Sequence, residues 1–206
     1  MSTRRYRNGP GTKALSGERE ARQNALVAQD LPTFRYHPDP ITTGSVKVSS
    51  ARCLSCEQSR GYIYSGPIYT EQEFDETICP WCIADGSAAR RFAATFTDIG
   101  GNEPGDVPRA VLEEIGFRTP GFESWQQDHW LYHCADGCAF LGRAGHQELA
   151  AYPGVLDMLI HEHDEYGWTE GEAMAYIDSL DVNGDATAYV FRCLVCGAHL
   201  AFSDAG

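Results

Sequence analysis

The 206-residue chain has no apolar run long enough to span a bilayer. Its opening residues carry no apolar signal core, and none follows Arg4-Arg5, so neither secretion nor twin-arginine export is expected. No Gly-rich phosphate loop and no Ser nucleophile elbow occur. Positive charge is scarce over most of the chain. Residues 36–206 hold nine Lys/Arg against 26 Asp/Glu, while residues 1–35 carry a net charge of +4. A body that acidic repels phosphates, which argues against nucleic acid and suits either a basic protein partner or simply solubility. These absences predict a cytoplasmic protein with no membrane or nucleic-acid attachment, in a compartment where thiols stay reduced.

No cysteine is left over either. The eight fall into four close pairs: Cys53/Cys56, Cys79/Cys82, Cys134/Cys138 and Cys193/Cys196. In a reducing compartment such pairs favour metal over disulfide. Cys53-Leu-Ser-Cys56 and Cys79-Pro-Trp-Cys82 are Cys-x-x-Cys units separated by 22 residues. Zinc takes four soft ligands in a tetrahedron, with thiolates at about 2.3 Å, so this spacing predicts a structural four-cysteine zinc site. Gly44–Ser50 reads as a strand entering the first turn and Gly61–Ser65 as one leaving it. A thioredoxin-like redox pair would need a Cys-x-x-Cys opening a helix in a parallel α/β unit, a role only Cys79–Cys82 could fill.

Cys134 and Cys138 lie between the strand-like runs Trp130–Tyr132 and Ala139–Leu141. Cys193 and Cys196 lie between Ala186–Phe191 and His199–Ser203. The two halves are expected to join in a second four-cysteine zinc site, with about 50 largely helical residues inserted between them. The rival arrangement puts His133 or another group in place of one cysteine and leaves an open coordination position, with Asp136 nearby. A metal there would lower the pKa of a bound water and make the site catalytic.

Residues 1–30 are polar and Arg-rich and read as a disordered basic tail, with transient helix near Gly17–Ala28. Residues 31–97 are expected to form an N-terminal zinc-ribbon module. Residues 98–206 are expected to form a helical insertion and a C-terminal zinc-ribbon module packed on the first. The prolines of Leu31–Pro40 impose an extended path on which Phe34 and Tyr36 can face a core. A short helix over Ile83–Phe92 is weakened by Gly86. Another is expected from an Asp106 cap through Val111, Leu112 and Ile115, stopping at Gly116. Further helices fit Gly145–Ala151, Pro153–Glu165 and Thr169–Ser179, the last opened by a Thr169/Glu172 capping box.

Several other patterns have plain readings. Phe122–His133 mixes aromatic and polar side chains, which suits a pocket wall or an interface. His161 and His163 are two apart on a helix, share no face, and read as solvated. A zinc-deaminase pattern would want Pro where Arg192 stands. The Asp181–Asp185 run resembles a calcium loop whose twelfth position is Arg192 instead of Glu. Asp85, Asp98 and Asp136 read as turn and cap residues.

Taken together, Phe34-Arg-Tyr-His-Pro-Asp-Pro40, Cys53-Leu-Ser-Cys56, Gly61-Tyr-Ile-Tyr-Ser-Gly-Pro67 and Cys79-Pro-Trp-Cys-Ile-Ala-Asp-Gly-Ser-Ala-Ala89 form a recognisable series. It continues with Trp125-Gln-Gln, Trp130-Leu-Tyr-His-Cys-Ala-Asp-Gly-Cys-Ala-Phe140 and Tyr189-Val-Phe-Arg-Cys-Leu-Val-Cys196. Over residues 31–206 the chain resembles the CbrC-like family of bacterial zinc-binding proteins associated with colicin tolerance. The resemblance implies a bacterial cytosolic zinc protein and, by analogy, a tolerance or immunity factor against a basic toxin. The expectation is therefore an α+β fold of two zinc-ribbon-like β units with inserted helices. It would bind two zinc ions through Cys53, Cys56, Cys79, Cys82, Cys134, Cys138, Cys193 and Cys196, and act without catalysis on a protein partner. The alternative is a hydrolase-like metal enzyme with an open site near His133, Cys134 and Cys138.

Overall fold

Two cores are stitched together by the chain from Leu31 to Tyr36. The computed structural model describes residues 30–72, 77–99, 105–165 and 167–206. All of the expected basic tail except Asp30 lies outside these residues, as does the middle of the Ile99–Asp106 loop. From Leu31 the prolines keep the backbone extended. Phe34 then enters one core and Tyr36 the other, both buried. The main-chain carbonyl of Tyr36 accepts from Phe140 N–H at 2.8 Å, which binds this stretch to the larger sheet.

The first core is small. β1 (Val46–Val48) pairs antiparallel with β2 (Tyr62–Tyr64), Val46 opposite Tyr64. α1 (Pro80–Ala84) and α2 (Ser87–Phe92) follow. The helix expected over Ile83–Phe92 is thus two short helices. Gly86 at φ 70° breaks the path between them, a left-handed turn that a side chain would strain. Val46, Ile63, Ile78, Ile83 and Phe96 bury together with Cys53, Cys79 and Cys82.

α3 (Arg109–Arg118) is capped by Pro108 rather than Asp106, and it runs past Gly116. Packing overrides the helix-breaking tendency of glycine there. A Cβ on Gly116 would lie 2.8 Å from the Ile99 side chain, and its carbonyl accepts from Phe96 N–H at 2.9 Å.

The second sheet is antiparallel in the order β3 (Tyr132–His133), β4 (Asp136–Ala144), β5 (Ala186–Cys193), β6 (His199–Ala205). Between β4 and β5 come α4 (His146–Leu149), α5 (Val155–Glu165) and α6 (Glu170–Ser179). The expected capping box is present: Thr169 Oγ1 accepts from Glu172 N–H, and Glu172 accepts from Thr169 N–H. Strand alternation divides β5 between two layers. Tyr189 and Phe191 join Phe122, Trp130, Phe140 and Phe202 in an aromatic core, with Phe122 stacked on Phe140 at 4.1 Å. Ala188 and Val190 face Leu149, Val155, Leu159 and Ile177 of the helices.

The architecture is α+β, with two sheets and six helices among the described residues. The strands do not establish the zinc-ribbon detail. Cys53/Cys56 and Cys193/Cys196 sit in strand-flanked turns and Cys134 in the β3–β4 hairpin turn, whereas Cys79/Cys82 opens a helix and Cys138 lies within β4.

Candidate metal centres

The four cysteines of the first pairs converge. Cys53 N–H donates to Gln58 O at 2.9 Å and Glu57 N–H to Cys53 O at 2.7 Å, closing a turn with Glu57 at φ 60°. Leu54 N–H donates to Thr77 O, drawing this turn towards the second pair. Cys79 caps α1, Pro80 takes the first helical position where no N–H is needed, and Cys82 lies one turn on. The Sγ atoms of Cys53 and Cys82 are 3.8 Å apart, as are those of Cys56 and Cys79. A tetrahedron of thiolates about 2.3 Å from its centre has edges of about 3.8 Å. The donor set therefore fits a tetrahedral ion.

Protonation is uneven within this cluster. A hydrogen bond from the Cys79 thiol, helped by backbone N–H groups including that of Cys79 at 3.2 Å, lowers the Cys53 thiol to about 4. The same bond pushes the Cys79 thiol well up, and burial raises Cys82. One thiolate is already favoured, and a cation would replace the protons of the others.

The second cluster comprises His133, Cys134, Cys193 and Cys196, whose ligand atoms lie within 4.8 Å of one another. The β3–β4 hairpin turns on Cys134 and Ala135, both at positive φ, 54° and 56°. That is a type I′ turn, which usually draws Asn-Gly. It projects His133 and Cys134 from one tip. Opposite them, Cys193-Leu-Val-Cys196 makes the same turn as Cys53–Cys56, with Gly197 at φ 79° standing where Glu57 stands in the other. His133 Nδ1 is 3.2 Å from Cys134 Sγ and 3.3 Å from Cys196 Sγ. Burial alone would raise the Cys193 thiol. The N–H groups of Cys196 and Val195 and a hydrogen bond from His133 outweigh it and bring the thiol to about 6.

Cys138, expected as the fourth ligand here, is not brought into this set. It lies on β4 directly opposite Cys193 and is fully buried in the aromatic core, and burial pushes its thiol up to about 12. The two-residue turn explains this. It puts Cys134 at the tip and Cys138 two residues into the strand, where His133 is nearer the other sulfurs. His133 thus stands where the open-site arrangement put it, within a group of four side chains that could hold a metal. Asp136 is occupied elsewhere, accepting from Arg35 at 2.6 Å, Tyr36 Oη at 2.7 Å and Gly137 N–H at 2.9 Å. Asp85 is the turn residue expected, accepting from Ser87 N–H at 2.7 Å.

Residues 31–205 match the family described as "Uncharacterised protein family (UPF0167)". The chain belongs to the UPF0167 family. UPF0167 proteins of Mycobacterium bovis and Mycobacterium tuberculosis are each 56% identical over 182 residues, covering 88% of this chain and 97% of the relative. One from Pseudomonas aeruginosa is 39% identical over 168 residues, covering 81% and 93%. No solved structure matches the chain. Both clusters lie inside the UPF0167 region, and most of the N-terminal basic segment lies before it.

Within this UPF0167 chain Cys79–Cys82 does open a helix, as a redox pair would. Both sheets are antiparallel, however, and two further sulfurs face the pair, so a metal cluster accounts for it better. Sequence reasoning missed the buried carboxylate of Asp128. It accepts from Tyr69 Oη and Thr97 Oγ1, tying the first core to the second, and burial raises its pKa. No helix among the described residues is long and apolar enough to cross a membrane.

Proposed function

We propose that this UPF0167 protein is a cytoplasmic zinc protein whose two metal sites are structural and whose acidic body binds a basic protein partner. The observation that carries the metal reading is the pair of 3.8 Å sulfur–sulfur distances in the first cluster, the edge length of a zinc tetrathiolate. A tetrahedral four-sulfur set also suits iron. Zinc is the reading because the second cluster's mixed sulfur and nitrogen set fits it equally well. With four protein ligands at each centre no position remains for substrate, which supports a structural role. The partner reading rests on the charge of residues 36–206, and the CbrC-like resemblance supports tolerance to a basic toxin by analogy.

Metal analysis of protein purified without added metal tests this, together with X-ray absorption. The expected result is two zincs per chain, averaging between three and four sulfurs each, with some nitrogen. Iron in place of zinc, or no metal, overturns it. Exposure of His133, Cys134 and Cys196 favours a second reading, a hydrolase-like enzyme that admits water at the second metal. Ester or phosphoester hydrolysis that is lost on chelation and in His133→Ala would establish that reading instead.

A further inference from the structure

Between Ala144 and Phe191 the chain carries ten Asp/Glu and no Lys or Arg. Within that stretch is a cavity of about 370 Å³ lined by Asp157, Ile160, His161, Trp168 and Glu170, of a size that takes one large side chain. Asp157, Ile160 and His161 share one face of α5, at spacings of three and four residues. Trp168 comes from the turn into α6 and Glu170 is the first residue of that helix.

Trp168 is 38% exposed, but it is held in place. Its ring stacks on His163 at 4.7 Å and 14° and meets Tyr176 edge-on at 5.6 Å. The backbone N–H of Trp168 donates to His163 O at 3.2 Å, and the Thr169/Glu172 capping box anchors the next residue. An indole that is both exposed and immobilised loses little entropy on binding. Asp157 and Glu170 are exposed, and neither pairs with a Lys or Arg among the described residues.

This inference rests on the reading of a basic protein partner and says where its charge is received. We propose that the cavity seats a Lys or Arg side chain of that partner. The indole offers its negative π face to the cation, and the two carboxylates accept its N–H donors. Charge complementarity selects this occupant. A phosphate would be repelled, and among the described residues only the two cysteine-containing clusters bring three or more ligating side chains close enough for a metal.

The test is titration of the full zinc-loaded chain with an acetylated hexa-arginine peptide at low salt. Trp168→Ala and Glu170→Gln should each weaken binding about threefold or more. Asp185→Asn, an exposed acid of the same stretch outside the cavity, should change it less than twofold. Glu170→Gln keeps the result readable if Trp168→Ala unfolds, since Glu170 is exposed. Equal weakening by Asp185→Asn and Glu170→Gln overturns the cavity but leaves the acidic-surface reading standing. Absence of any binding by the unaltered chain overturns both. Cross-linking of Trp168 to a second copy, or to the chain's own residues 1–29, with no peptide bound, assigns the cavity to that occupant and overturns the proposal.

Discussion

His37 is shut from solvent with both ring nitrogens engaged. Nδ1–H donates to Pro120 O at 2.7 Å, so Nε2 must accept the Thr43 hydroxyl, also at 2.7 Å. Burial lowers its pKa from 6.5 to about 4. The folded ring therefore stays neutral where the unfolded one takes a proton. Its contribution to stability is whole above pH 6.5 and is lost as pH falls from 6.5 towards 4, by about 3 kcal/mol in all. Urea midpoints measured across that range should fall more steeply for the native chain than for His37→Gln. A parallel fall would show that His37 is not buried neutral. The cysteines are sorted at the same scale. Cys196→Ser should lower bound metal from two ions to one, whereas Cys138→Ser should keep two while costing about 1–3 kcal/mol, since it buries a hydroxyl in the aromatic core. Elemental analysis and thermal melts of both variants separate the roles. Three of the four second-site ligands were legible as paired cysteines. The preference of His133 over Cys138 was not, because it depends on a turn at Cys134-Ala135 that lacks the Asn-Gly signature.

Among the elements, the strands flanking Cys53 and Cys193, the capped helix α6 and the extended run through Phe34 and Tyr36 were all readable, each from a local signal of alternation, capping or proline. What local signals miss is tertiary override. α3 continues through Gly116 because its backbone lies against Ile99 and receives Phe96, a contact 17–20 residues distant. Close approach also governs Gly121, whose N–H donates to Tyr64 Oη at 3.1 Å. A Cβ there would sit 1.7 Å from the Phe96 carbonyl oxygen. Gly121→Ala must push α3's exit away from the first core, at an expected cost of about 3 kcal/mol or more, as overpacking against backbone has no side chain to yield. Circular dichroism melts check this, and a loss under 1 kcal/mol would contradict the packing described.

For the molecule as a whole, the strand, helix and cysteine patterns reached the α+β class and composition reached the acidic body, but neither reached the way the halves interlock. The entry of Phe34 and Tyr36 into different cores, and the bonds of Asp128 to Tyr69 and Thr97, join stretches distant in sequence that no local pattern links. On the proposed zinc reading, metal dominates at this scale. Binding at a structural zinc site is worth roughly 10–16 kcal/mol at neutral pH, against about 5–15 kcal/mol for a whole domain. Excess chelator should therefore abolish cooperative melting, and restored zinc should recover it. A chain that melts unchanged after both metals are stripped would show that the hydrophobic cores suffice alone.

The two clusters differ in how far apart along the chain their members lie, and that difference sets an order of events. Cys56 and Cys79 are 23 residues apart, whereas His133 and Cys193 are 60 apart. Closing the longer loop costs about 0.8 kcal/mol more chain entropy, and the long segment must first fold its own helices. On refolding from denaturant with zinc present, the first cluster is expected to capture its ion early and the second in a slower phase. A partly loaded, half-formed chain would be the natural intermediate. For a short interval it would have exposed thiolates at one end and a finished metal centre at the other.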